Sequence, residues 1–170
     1  MEKAEYKELL LHRLSREYEI VGSWQGNEYD LVARKTSEES LSLGNNSVEK
    51  TIIAVSGLDE DCITQFVENE IEEIPQMLLS GFRDISKNKS TEFIRVFVMK
   101  NIPFDLIQKT RVYDFSRTEQ RNFEYVAHAG VLLVDVQGGM IYCNSAAAEF
   151  SHLFKIITPV ETIEEEEDEV

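Results

Sequence analysis

The chain has 170 residues, 42% hydrophobic and 29% charged, with a formal net charge of −15. Such a chain is expected to fold as one globular domain and to bury its core without disulfides or structural metal. Its acidity disfavours nucleic acid as a partner, no apolar run reaches the ~20 residues that span a bilayer, and the charged segment 1–18 argues against a secretory signal, so a cytoplasmic protein with no membrane association is expected.

Residues 4–17 read as a helix, because Tyr6, Leu9, Leu10 and Leu14 recur at helical spacing with Lys7, Arg13, Arg16 and Glu17 mostly opposite. Residues 18–24 read as a strand, Gly26-Asn27 turns the chain, and residues 29–35 return as a second strand. The Ser-, Glu-, Asn- and Gly-rich stretch 36–50 predicts a surface loop. Residues 51–55 are β-branched and almost wholly apolar, the pattern of a central strand covered on both faces.

A long helix is expected from Asp59 toward Lys87, with Ile63, Phe66, Val67, Ile71 and Ile74 as its buried stripe and Asp59, Glu60 and Asp61 at its N-terminal dipole. Pro75 should kink or divide it. Residues 93–99 form another apolar strand, and 104–115 a short helix with Pro103 at or just before its first turn. Ser116-Arg117-Thr118-Glu119 matches a capping box, which predicts a helix with Phe123, Val126 and Ala127 on its apolar face and Gly130 as its C-terminal cap. Residues 131–136 read as a strand, Gly138-Gly139 as a hairpin turn into 140–143, and 146–155 as a last helix capped by Ser145.

Residues 161–170 hold seven of the acids and no base, which leaves the body, residues 1–160, at −8. Like charges repel and expose no apolar surface, so the tail is expected to be disordered, either as a solubility tail or as a segment that occupies a basic surface on a protein partner. The basic clusters Arg83, Lys87, Lys89 and Lys109, Arg111, Arg117, Arg121 read as solvated faces. Cys62 and Cys143 stand in no metal-ligand or redox spacing and read as reduced thiols. The scattered His12, His128 and His152 form no ligand set, and no P-loop, GxSxG or GxGxxG motif is present.

The predicted order is an α-β-β-β-α-β core, a mixed sheet flanked by helices, with an added C-terminal strand or hairpin and helix. Two segments carry a resemblance: Asp30-Leu31-Val32-Ala33 opening the second strand, and Ile52-Ile53-Ala54-Val55-Ser56 in the third. Together with Glu8 in the first helix and the Leu132-Leu133-Val134-Asp135 strand, they make the chain similar to the restriction-endonuclease-like PD-(D/E)XK superfamily, closest to its Mrr-type branch, over about residues 4–142.

The resemblance implies a metal-dependent nuclease frame. In active members an acid in the first helix, the aspartate of the second strand and an acid-x-lysine pair in the third hold Mg²⁺ and orient the attacking water. Glu8 and Asp30 match the first two places. Ala54 and Ser56 stand where the acid and the lysine should be, so the active site reads as degenerate and no catalytic residue or cofactor is expected. Asp30 remains the one metal-ligand candidate, and its alternative is a strand-end acid that hydrogen-bonds a neighbouring turn.

The leading expectation is an inactive nuclease-like domain that serves as a binding or interaction module, with a homodimer one option. Trp24, Tyr142, Phe150 and Phe154 would line such an interface if they are not buried in the core. The alternative is an active Mg²⁺-dependent endonuclease with relocated residues, for which Glu68, Glu70 and Lys50 are candidates. Glu28 should face away from Asp30. A second alternative is a PAS-like sensory module, because residues 130–147 resemble the opening of a PAS domain.

Overall fold

The computed structural model describes residues 1–40, 46–83 and 85–156. Helix α1 (Lys3–Leu14) buries Tyr6, Leu10 and Leu14, a stripe spaced by four residues that forms one helical face. Strand β1 (Glu19–Trp24) turns through Gln25 and Gly26 into β2 (Asn27–Ser40). Both turn residues have positive φ, 50° and 77°, as a two-residue hairpin loop requires to match strand twist. Strand β3 (Asn46–Ser56) runs antiparallel to β2 with ten register pairs, from Leu31 opposite Val55 to Ser40 opposite Asn46.

This ladder corrects the expected loop at 36–50. Only 41–45 fall outside the described residues, and the rest extend the hairpin past the edge of the core. Polar side chains there conceal a strand, because ladder hydrogen bonds do not require an apolar face.

Helix α2 (Thr64–Leu78) and the short α3 (Ser80–Arg83) lead to β4 (Asn88–Val98), which is parallel to β3. Helix α4 (Phe104–Val112) follows, then β5 (Phe115–Gln120), β6 (Glu124–Asp135), β7 (Met140–Cys143) and a 3₁₀ helix (Ser145–Phe154). The seven strands make one open mixed sheet in the order β1-β2-β3-β4-β6-β5, with β7 also paired to β6. Strand β6 is parallel to β4 and antiparallel to β5 and β7.

Apolar residues fill both faces. Leu31, Ile53, Val55, Ile94 and Leu132 pack with α1 and the 3₁₀ helix. Val32, Ile52, Ala54, Phe93, Phe97 and Leu133 pack with α2, α3 and α4. The expected mixed sheet with helices on both faces is therefore present, and from Lys3 to Val98 the elements run α-β-β-β-α-β with α3 inserted before β4. Phe150 and Phe154 are buried, while Trp24 and Tyr142 are half-buried against the second core, where Trp24 stacks on Phe93 at 4.8 Å.

Three further expectations are corrected. The helix placed at 59–87 begins only at Thr64, because Asp61 is tied to Lys3 (2.7 Å) and Lys100 (3.4 Å), and the Cys62 N–H donates to the Val98 carbonyl (3.0 Å). Its break falls after Leu78, and Pro75 lies inside α2 without ending it.

The helix read from the capping box at 116–119 is instead the β5–β6 hairpin. Tyr125, Ala127, Ala129, Val131 and Leu133 are all buried on one face, a period of two that outweighs the four-residue cap pattern. Gly130 is accordingly no helix cap. It lies within β6, where a Cβ would come within 2.7 Å of Ile94 and 2.9 Å of Ala147.

The last helix is 3₁₀ and is capped by Asn144, not Ser145, with the Asn144 side chain accepting from the Ala147 N–H. The segment that resembles a PAS opening is thus part of β6, β7 and the start of this helix, built into the edge of the same sheet. No helix among the described residues is long and apolar enough to cross a membrane. The acidic stretch 161–170 lies outside the described residues.

Candidate functional site

The candidate site lies where β2 and β3 leave each other. Leu31 opposite Val55 is their last register pair toward this end. On the other side of β2, pairing slips between Val21 opposite Val32 and Ser23 opposite Glu28, so three residues of β2 span one residue of β1. This bulge breaks the alternation of faces. Tyr29 packs on the α2 side, although Leu31, two residues on, packs on the α1 side.

The bulge also fixes Asp30. Its Oδ2 accepts from the backbone N–H groups of Gly57 (2.8 Å) and Leu58 (2.9 Å), where the chain leaves β3. Gly57 takes φ +98°, and a Cβ there would meet the Val98 carbonyl oxygen at 2.2 Å. The turn that Asp30 caps is therefore one that only glycine fits.

Ala54 is fully buried opposite Val32 and belongs to the core, not to the cleft. Ser56 reaches the cleft, but its Oγ is engaged by Arg95 from the adjacent β4, whose Nη2 donates to it at 2.9 Å. The Arg95 side chain is 1% exposed. Nη2 also donates to Glu70 Oε2 (3.2 Å), and Nη1 to the carbonyls of Ala54 (3.1 Å) and Val96 (3.3 Å). The guanidinium lies between the rings of Tyr29 and Phe97, with centroids 4.7 and 4.3 Å from Cζ. Burial lowers the Arg95 pKa and Glu70 opposes that shift, which leaves the group a cation, since arginine starts far above neutrality.

Beside Ser56 opens a cleft of about 700 Å³, lined by acids (Glu28, Asp30, Asp59, Glu60, Asp61) and by Ile63 and Phe66. Ile63 is 68% exposed and Phe66 38%. Cys62 also lines it, but burial pushes its thiol up to about 11, with the Arg95 charge only partly offsetting, so it is not a thiolate at neutral pH.

Of the residues singled out from sequence as site candidates, the fold brings Asp30, Ser56 and Glu28 to this cleft; Glu28 was expected to face away from Asp30, and the bulge in β2 removes the alternation on which that expectation rested. Glu8 is exposed on α1 and does not line it. Glu68 pairs with Lys109 (3.2 Å) and Glu70 with Arg95. Lys50 lies six residues up β3 from Ser56, opposite Thr36 and Thr91.

Mg²⁺ requires oxygen ligands in near-octahedral array, usually with one or two carboxylates. The residues present do not fit it. One Asp30 oxygen is committed to two N–H groups, Ala54 offers no ligand, and the space beside Ser56 holds a buried cation. Among the described residues no group of three or more His, Cys, Asp or Glu is arranged to hold a metal.

Arg95 is the site residue that the sequence reading missed. Its signal was a single charge inside the apolar strand Phe93–Met99. No protein-family model, curated protein or solved structure matches the chain.

Proposed function

We propose that this chain is a nuclease-like domain of the restriction-endonuclease-like type that has lost its catalytic site and works as a protein-binding module. The observation that carries this reading is the Arg95 guanidinium beside Ser56. Ala54 supplies no carboxylate for a metal, and the Arg95 guanidinium, buried and held by two carbonyls, Ser56 and Glu70, lacks the freedom of a catalytic lysine to approach an attacking water. The α-β-β-β-α-β order and the position of Asp30 at the mouth of the β2–β3 divergence support the nuclease-like frame. A fold outlives its chemistry because core packing does not need the catalytic pair.

The cleft's lining supports the binding role. Asp59 and Asp61 are paired with lysines, but Glu28 and Glu60 form no ion pair among the described residues and suit a protein segment with basic side chains, while Ile63 and Phe66 suit an apolar residue beside them. The test is incubation with supercoiled DNA, single-stranded DNA and RNA in Mg²⁺ or Mn²⁺. No cleavage product is expected. Metal-dependent cleavage that disappears in Asp30→Ala would sink the proposal.

A further inference from the structure

The opposite end of the sheet carries a pocket of different chemistry. It measures about 190 Å³ and lies between the β1–β2 turn, the start of α3 and the upper rows of β3, β4 and β6. Lys50 of β3 and Lys89 of β4 both line it. Neither forms an ion pair among the described residues, and among those residues no carboxylate lines the pocket, in a chain of net charge −15.

The hydroxyls add to the imbalance. Thr91 is 5% exposed, and its Oγ1 accepts from the Tyr125 hydroxyl at 2.9 Å. Ser80 Oγ accepts from Gln25 Nε2 at 3.0 Å. Each hydroxyl thus accepts a hydrogen bond from a neighbour and keeps its own hydrogen to donate. Two lysines and two hydroxyl-bearing residues thus line one small pocket, and among the described residues its lining offers them no carboxylate.

We propose that this pocket binds a phosphate or phosphate-monoester group, held by Lys50, Lys89, Ser80 and Thr91. Two lysines lining one cavity repel each other until an anion lies between them. A tetrahedral dianion supplies several acceptor oxygens, and its bonds to ammonium are charge-assisted. The volume lies below the ~300 Å³ at which drug-sized ligand sites begin, which points to the anionic group itself and not a large molecule enclosed whole. The proposal is independent of the acidic cleft and stands whether or not that cleft binds a protein.

Trp24, the single tryptophan, lines the pocket and reports on it. The full chain would be titrated with inorganic phosphate and, separately, glycerol phosphate, at constant ionic strength set with chloride. Tryptophan fluorescence and calorimetry would be read together. Saturable binding at millimolar concentrations or below is expected, weakened about tenfold or more in Lys50→Gln and in Lys89→Gln, with far-UV circular dichroism unchanged. Ser80→Ala, which removes one donor and no charge, should weaken it less. Tighter binding of inorganic phosphate would identify a free anion, and tighter binding of the ester a phosphorylated molecule; either supports the site. Calorimetry without saturable heat, or equal affinity in the lysine variants and the parent, would overturn it.

Discussion

Arg95 Nη2 donates to Ser56 Oγ across 2.9 Å, from a strand parallel and adjacent to the one that carries the serine. In the nuclease-like reading proposed above, the contact puts a cation of another origin beside the place of the catalytic lysine. It differs from a catalytic lysine in being immobile: two carbonyls, a carboxylate, a hydroxyl and two aromatic rings hold it.

Removing one side of the Arg95–Glu70 pair should cost more than removing both charges. Glu70→Ala leaves the guanidinium without its carboxylate. It is expected to lower unfolding stability by about 2 kcal/mol, less than for a fully enclosed pair because Glu70 keeps water contact. The double variant Arg95→Met, Glu70→Gln should recover most of that loss. Urea denaturation of the three proteins checks the ordering.

Asp30→Ala should act on stability. It strips the Gly57 and Leu58 N–H groups of their acceptor, at an expected cost of about 2 kcal/mol. Asp30→Asn keeps one acceptor oxygen and should lose less. Thermal unfolding of both against the parent decides, and a stability equal to the parent in Asp30→Ala would contradict the capping role.

Glu92 gives a pH dependence. Burial raises its pKa, the neighbouring Glu149 adds to the shift, and His128 partly opposes it, with Glu49 a smaller contribution upward. A carboxyl with a folded pKa above its unfolded value stabilises fully below that unfolded value, and the contribution is lost as pH rises through the folded pKa. Glu92→Gln should therefore match the parent in acid and become the more stable protein above the folded pKa of Glu92. Denaturation midpoints measured across this range test it, and a gap that does not widen with pH would refute it.

Asn144 closes the edge of β6 between β5 and β7. Its Oδ1 accepts from Val131 N–H (3.0 Å) and Ala147 N–H (3.2 Å), and its Nδ2 donates to the carbonyls of Tyr113 (3.0 Å) and Ala129 (3.2 Å). The side chain thus replaces a missing stretch of strand. Asn144→Ala should cost about 3 kcal/mol, because it leaves several buried backbone groups unpaired at once. Amide exchange should rise first at Val131 and Ala147.

Local pattern marked α1 by its helical spacing, the centres of β3 and β4 by their apolar runs, α4 by Pro103 at its start, and the Gly138-Gly139 hairpin by its turn glycines. Local pattern misjudged the polar ends of β2 and β3, where ladder bonds form without an apolar face. It also misjudged 116–129, where a local capping pattern competed with a two-residue alternation set by the neighbouring strands. That positions 54 and 56 hold alanine and serine, and neither the acid nor the lysine of the proposed nuclease-like frame, was legible residue by residue. The cation that stands there was not, since Arg95 comes from a strand 39 residues downstream of Ser56 and only the parallel β3–β4 register brings them together. The bulge that turns Asp30 toward two backbone N–H groups, and the placing of Lys50 and Lys89 along one pocket, were likewise decided by pairing between strands, which no single segment encodes.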